Sequence, residues 1–171
     1  MKRRKFLKTA SAAGLSLAAA PRFPAWLSTP GDTVRVAVMG LNGRGAVLAR
    51  TFARAAHAEV AYLCDVDSLV LAKAVSAVAG VQRKSPKGLG DFRKALEDKD
   101  VDALVIAAPD HWHAPAALLA MQAGKHVYVE KPCGHNPREG ELLVEAQQKH
   151  IRLSRGGSHS KSTLADCPAS R

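Results

Sequence analysis

Four clusters of residues in this sequence could do chemistry. Gly40-Leu41-Asn42-Gly43-Arg44-Gly45 follows a β-rich run and opens a helical one, and it fits G-x-G-x-x-G except that Asn42 stands at the second glycine. Gly40 permits a tight turn off a strand, Gly45 permits close helix packing, and the helix start offers free N–H groups to a pyrophosphate. Gly43 and Arg44 complete the turn, and Asn42 tolerates left-handed backbone better than most residues. A purely structural turn would use the same glycines. Position favours the dinucleotide reading, because Asp65 follows Gly45 by twenty residues at the end of the next strand-like run. A carboxylate there would hold a ribose diol, and Asp65-Val66-Asp67-Ser68 has no Lys or Arg to receive a 2′-phosphate, so NAD is expected over NADP.

The other two clusters follow later strand-like runs, where open α/β sheets place their ligands. In Ala108-Pro109-Asp110-His111-Trp112-His113 the His-x-His pair suggests a metal, yet no third ligand lies nearby in the sequence, so no metal site is expected. Asp110 either caps the next helix or faces a cofactor. In Glu130-Lys131-Pro132 a surface turn is the plain reading. At the end of a buried strand, however, Lys131 would bring a charge beside a nicotinamide, with Pro132 fixing its direction. Cys133 has no candidate base beside it, so a nucleophilic mechanism is not indicated.

The elements that must position these residues alternate between strand and helix. Val34 to Met39, Val60 to Cys64, Ala103 to Ala107 and His126 to Val129 read as strands. Helices are expected with Val47, Leu48, Phe52 and Ala56 as apolar positions, over Ser68 to Ala79 closed by Gly80, from Asp91 to Leu96, and over Ala116 to Ala123 before Gly124. A last helix starts with Asn136 as N-cap, Pro137 at its first position and Glu139 at its third. Leu142, Leu143 and Ala146 form its inner stripe, and Glu145 is expected to pair with Lys149 outside. The alternation implies an α/β fold, a doubly wound parallel sheet covered on both faces.

With these motifs in their order, residues 33 to 150 resemble the N-terminal dinucleotide-binding domain of the Gfo/Idh/MocA oxidoreductases, the family of glucose-fructose oxidoreductase and inositol dehydrogenase. The resemblance rests on the glycine turn, Cys64-Asp65-Val66-Asp67, Pro109-Asp110-His111-Trp112-His113 and Glu130-Lys131-Pro132-Cys133. It implies a Rossmann-type fold and hydride transfer between NAD and a sugar- or cyclitol-like substrate. It also implies that Pro109, Asp110 and His113 line the cofactor, with Glu130, Lys131 and Pro132 at the hydride-transfer end and Lys131 as the catalytic residue. The family has Asn more often than Asp at position 110, and Thr where this chain has Ala108.

The 171 residues carry a formal charge of +10, which would suit a nucleic-acid binder if the charge lay on the folded part. It does not. Residues 1 to 31 hold six basic side chains and no acidic one, whereas residues 32 to 150 hold fifteen basic and fourteen acidic, so no nucleic-acid partner is expected. Arg3-Arg4-x-Phe6-Leu7-Lys8 before the short apolar stretch Ala10 to Ala20 resembles a twin-arginine signal. It implies the corresponding export machinery as a partner and a periplasmic or extracellular destination. Pro21, Pro24 and Pro30 mark a linker, so the fold is expected from Asp32. After Ile151-Arg152-Leu153 the sequence turns polar, and residues 151 to 171 read as a disordered or out-of-frame tail in place of the family's second, substrate-binding domain. The chain alone is then expected to be inactive, an NAD-binding fragment.

Overall fold

A computed structural model describes residues 33 to 150. The signal-like segment, the proline linker and the polar tail lie outside the described residues.

Five parallel strands form one sheet in the order β3-β2-β1-β4-β5. They are β1 (Val34–Met39), β2 (Ala58–Cys64), β3 (Lys87–Leu89), β4 (Ala103–Ile106) and β5 (His126–Val129). The helices between and after them are α1 (Arg44–Arg54), α2 (Ser68–Ala79), α3 (Arg93–Leu96), α4 (His113–Gln122) and α5 (Pro137–His150). β1 pairs with β2 on one side and β4 on the other, so the strand order reverses direction between β1 and β4. That reversal opens the crevice in which doubly wound sheets bind ligands.

Strand side chains alternate between faces, and this divides the interior into two cores. Val36, Val38, Val60, Leu63 and Val105 pack with Leu48, Ala49, Ala74 and Val78 beneath α1 and α2. Ala37, Leu104, Ile106 and Val127 pack with Ala95, Ala117, Met121 and Leu143 beneath α3, α4 and α5. The central strands thus bury both faces, which is why β4 reads as an unbroken apolar run.

The expected elements are present, with several differences. α1 buries Gly45, Leu48, Ala49 and Ala53, while Val47 is exposed and Ala56 lies beyond the helix end. β3 was not expected: three residues, one a glycine, give no alternation to read. α4 begins at His113, earlier than Ala116, after a 3₁₀ turn over Asp110–Trp112. On α5, Glu145 lies 3.8 Å from Arg138, which also holds Glu141 at 2.7 Å, in place of the expected Lys149 partner. The α5 start follows the sequence closely: Glu139 N–H donates to Asn136 Oδ1, and Glu139 Oε2 accepts the His135 N–H. No described helix is long and apolar enough to cross a membrane.

Candidate dinucleotide site

The glycine turn is shaped by steric necessity. A Cβ on Gly45 would stand 1.6 Å from the Gly40 carbonyl oxygen, and one on Gly40 would stand 2.6 Å from the Ala108 backbone. Gly40 and Gly43 have φ of +81° and +69°. The left-handed residue at the tip is therefore Gly43, one position after Asn42, whose side chain is exposed. A Cβ on Gly43 would meet no protein atom within 4 Å, so the loop is left open to close approach.

The helix behind this turn has what a phosphate requires. α1 starts at Arg44 without a side-chain cap and without an acidic residue in its first turn. By contrast Asp67 accepts from the N–H groups of Leu69 and Val70 to cap α2, and Asn136 caps α5. The leading N–H groups and positive dipole end of α1 are thus left for an anion. The residues present fit a dinucleotide pyrophosphate.

Asp65 closes one side of the turn. Its Oδ2 accepts the Leu41 N–H at 2.7 Å and its Oδ1 accepts the Asp67 N–H at 3.0 Å. A carboxylate has about four acceptor positions, so a ribose diol remains within its capacity. Burial first, and then the charges of Asp91 and Asp65, push the thiol of Cys64, the residue before it, up to about 12.

The other side is built from the ends of β4 and β5. Pro109 and Asp110 are exposed where β4 ends, and Asp110 opens the 3₁₀ turn without capping it. His113 is 2% exposed, with Nδ1 2.5 Å from the Pro132 carbonyl oxygen and Nε2 2.8 Å from that of Ala108. It is a strut: its two ring nitrogens lie against backbone carbonyls of two separate segments, the loop after β4 and the turn after β5, and so tie them together. His111 is exposed, with its ring centroid 6.4 Å from that of Trp112. Lys131 is exposed, the Lys131–Pro132 peptide is cis, and Cys133 packs half-buried against the core under α4 and α5.

Glu130 does more than its place in the sequence shows. Its Oε1 accepts the Arg44 Nε–H at 2.7 Å and the Tyr128 hydroxyl at 3.2 Å. The Arg44 guanidinium, followed by Tyr128 and the Lys131 N–H, holds its carboxyl below the usual range against the opposing effect of burial. Tyr128 was legible as a partner, since residues two apart on a strand share a face. Arg44 was not, because eighty-six residues separate it from Glu130.

The sequence profile of an oxidoreductase family, described as its NAD-binding Rossmann fold, matches residues 34–156. A glycosyl hydrolase family 109 protein of Stenotrophomonas maltophilia is 39% identical over 140 residues, which are 78% of this chain and 30% of that protein. A second such protein, from Shewanella sp. (strain ANA-3), is 40% identical over 68% of this chain and 26% of its own length. Scyllo-inositol dehydrogenase of Lactobacillus casei, solved with NAD(H) and scyllo-inositol bound, superposes with a TM-score of 0.64 at 26% identity, over 71% of this chain and 34% of that one. An NAD-binding oxidoreductase of Klebsiella pneumoniae gives 0.61, also at 26% identity, over 70% and 32%. The chain spans well under half the length of the relatives it matches. An uncapped helix behind a glycine turn, an acid at the end of β2 and a profile covering the whole sheet agree: this chain belongs to the Gfo/Idh/MocA oxidoreductase family through its NAD-binding Rossmann domain.

Proposed function

We propose that residues 33 to 150 hold NAD for hydride exchange with a sugar- or cyclitol-like substrate, in a protein exported by the twin-arginine route. The observation that carries the reading is the placement of the exposed Lys131 beside Glu130 at the end of β5, across the strand reversal from Asp65. Bound nicotinamide would supply the hydride acceptor. Asp65 would take the ribose diol at the adenosine end, and the α1 N-terminus the pyrophosphate. Pro109 and Asp110 would flank the cofactor where β4 ends. Lys131 would donate a hydrogen bond to the substrate oxygen and stabilise negative charge on it as its hydroxyl proton leaves to solvent and the adjacent C–H hydrogen departs as hydride.

Net oxidation and glycoside cleavage both fit this chemistry. In cleavage the hydride would be taken and later returned, as in the NAD-dependent glycosidases that depart from the two-carboxylate scheme. The names of the 39–40% identical relatives favour cleavage, and the dehydrogenase likeness, at 26%, supports net oxidation. A non-catalytic NAD-binding role is the alternative to both.

The test is NADH absorbance and aglycone release, followed in parallel with the protein in the length its gene encodes, NAD, and a panel of sugars, inositols and aryl glycosides. Cleavage predicts NAD-dependent aglycone release without net NADH, and oxidation predicts one NADH per product. Lys131→Ala should abolish either. Turnover independent of NAD or of Lys131 would contradict the proposal, and NAD binding with no turnover would support the non-catalytic role.

A further inference from the structure

Arg44 and Glu130 come from opposite sides of the strand reversal. Arg44 is the first residue of α1, behind the glycine turn of β1, and Glu130 follows β5, the edge strand beyond β4. Their 2.7 Å contact therefore spans the crevice over the end of β4. Other observations mark it as more than a surface pair. The Glu130 side chain is only 16% exposed, and the Tyr128 hydroxyl shares the same carboxylate oxygen. The next residues, Lys131 and Pro132, are held from the other direction, where His113 reaches the Pro132 carbonyl. Among the described residues the Lys131 turn is thus held from two sides, and of these two contacts the Arg44 one is tied to the helix whose start faces phosphate.

We infer that the Arg44–Glu130 pair is a clasp across the crevice that positions the Glu130-Lys131-Pro132 turn for the nicotinamide half of the cofactor. The inference rests on the dinucleotide reading of the site and adds to it a role for the Arg44 side chain. Arg44 is a positioning residue: its guanidinium serves the far end of the cofactor through Glu130, while its backbone belongs to the helix start that faces phosphate. Lysine would keep the charge but lose the fixed planar donor geometry, so it should substitute only in part.

The experiment compares NADH with ADP, which carries only the adenosine and diphosphate portion, by calorimetric titration of the full 171-residue chain. Arg44→Gln and Glu130→Gln should each lower the NADH-to-ADP affinity ratio by about three- to tenfold, the range for one charge-assisted hydrogen bond at a partly exposed site. The double variant should be no worse than the more damaging single one, and Arg44→Lys should restore part of the loss. ADP binding reports that each variant is folded. Without cofactor, the Glu130 carboxyl followed by carbon NMR should titrate higher in Arg44→Gln than in the unmodified chain. An equal loss of ADP and NADH affinity in Arg44→Gln would make Arg44 a simple phosphate contact and overturn the clasp. So would additive single effects, or a Glu130 titration indifferent to Arg44. Binding of neither ligand by the unmodified chain would overturn the dinucleotide reading itself, and the clasp with it.

Discussion

Asp65 is proposed to have two duties at one carboxylate. It holds the glycine turn through the Leu41 N–H and, when NAD is present, would accept the ribose diol. A charge-assisted hydrogen bond contributes about 1.5–3 kcal/mol, equivalent to roughly ten- to a hundredfold in affinity. Asp65→Ala should therefore weaken NADH binding by that factor and narrow the preference over NADPH, as read by fluorescence titration with both nucleotides. Asp65→Asn retains an acceptor for Leu41 and should fall between. Asp65 was legible in the sequence because its spacing from Gly45 is dictated by one helix and one strand. His113 was legible as a residue of the site but not as a strut, since its two partners are backbone carbonyls contributed by a neighbouring loop and by the turn after β5. Periodicity says nothing about such partners.

At the scale of elements, the contact between α1 and the end of β1 leaves no space for a side chain. Gly45→Ala would drive a Cβ into the Gly40 carbonyl, forcing α1 away from the sheet, and should cost about 1–3 kcal/mol or more in urea unfolding. Gly43→Ala meets no neighbour and carries only the left-handed backbone penalty of about 1–2 kcal/mol, so it should be the milder change. The turn before β4 adds a pH dependence. Asp98 is held below the usual carboxylate range by the Asp100 N–H first and then by the Tyr62 hydroxyl. A group whose pKa is depressed by folding contributes stability above its unfolded value, near pH 4, and loses it as pH falls through the folded value. Unfolding midpoints measured from pH 7 to pH 3 should thus decline less steeply at the acid end in Asp98→Asn. The long elements were legible because each carries its own signal: an apolar run for β4, a cap for α5, a terminal glycine for α2. β3 was not, because three residues at a sheet edge are placed by pairing with β2 rather than by their own pattern.

Considered whole, the sequence is nearly neutral over residues 32 to 150 and carries its positive charge at its two ends. The two cores account for the fold, and the crevice between β1 and β4 accounts for the site. Asp65 stands on the β2 side of it and Lys131 on the β5 side, with Arg44 and Glu130 joined across it. This crevice is proposed to take NAD, with the diol at Asp65. The most direct measurement is a titration of the full chain with NADH and, separately, NADPH, following nucleotide fluorescence. Saturable binding of one NADH per chain is expected, with NADPH weaker by about tenfold or more as a 2′-phosphate meets the Asp65 carboxylate. NADPH binding as tight as or tighter than NADH, or no saturable binding of either, would contradict it.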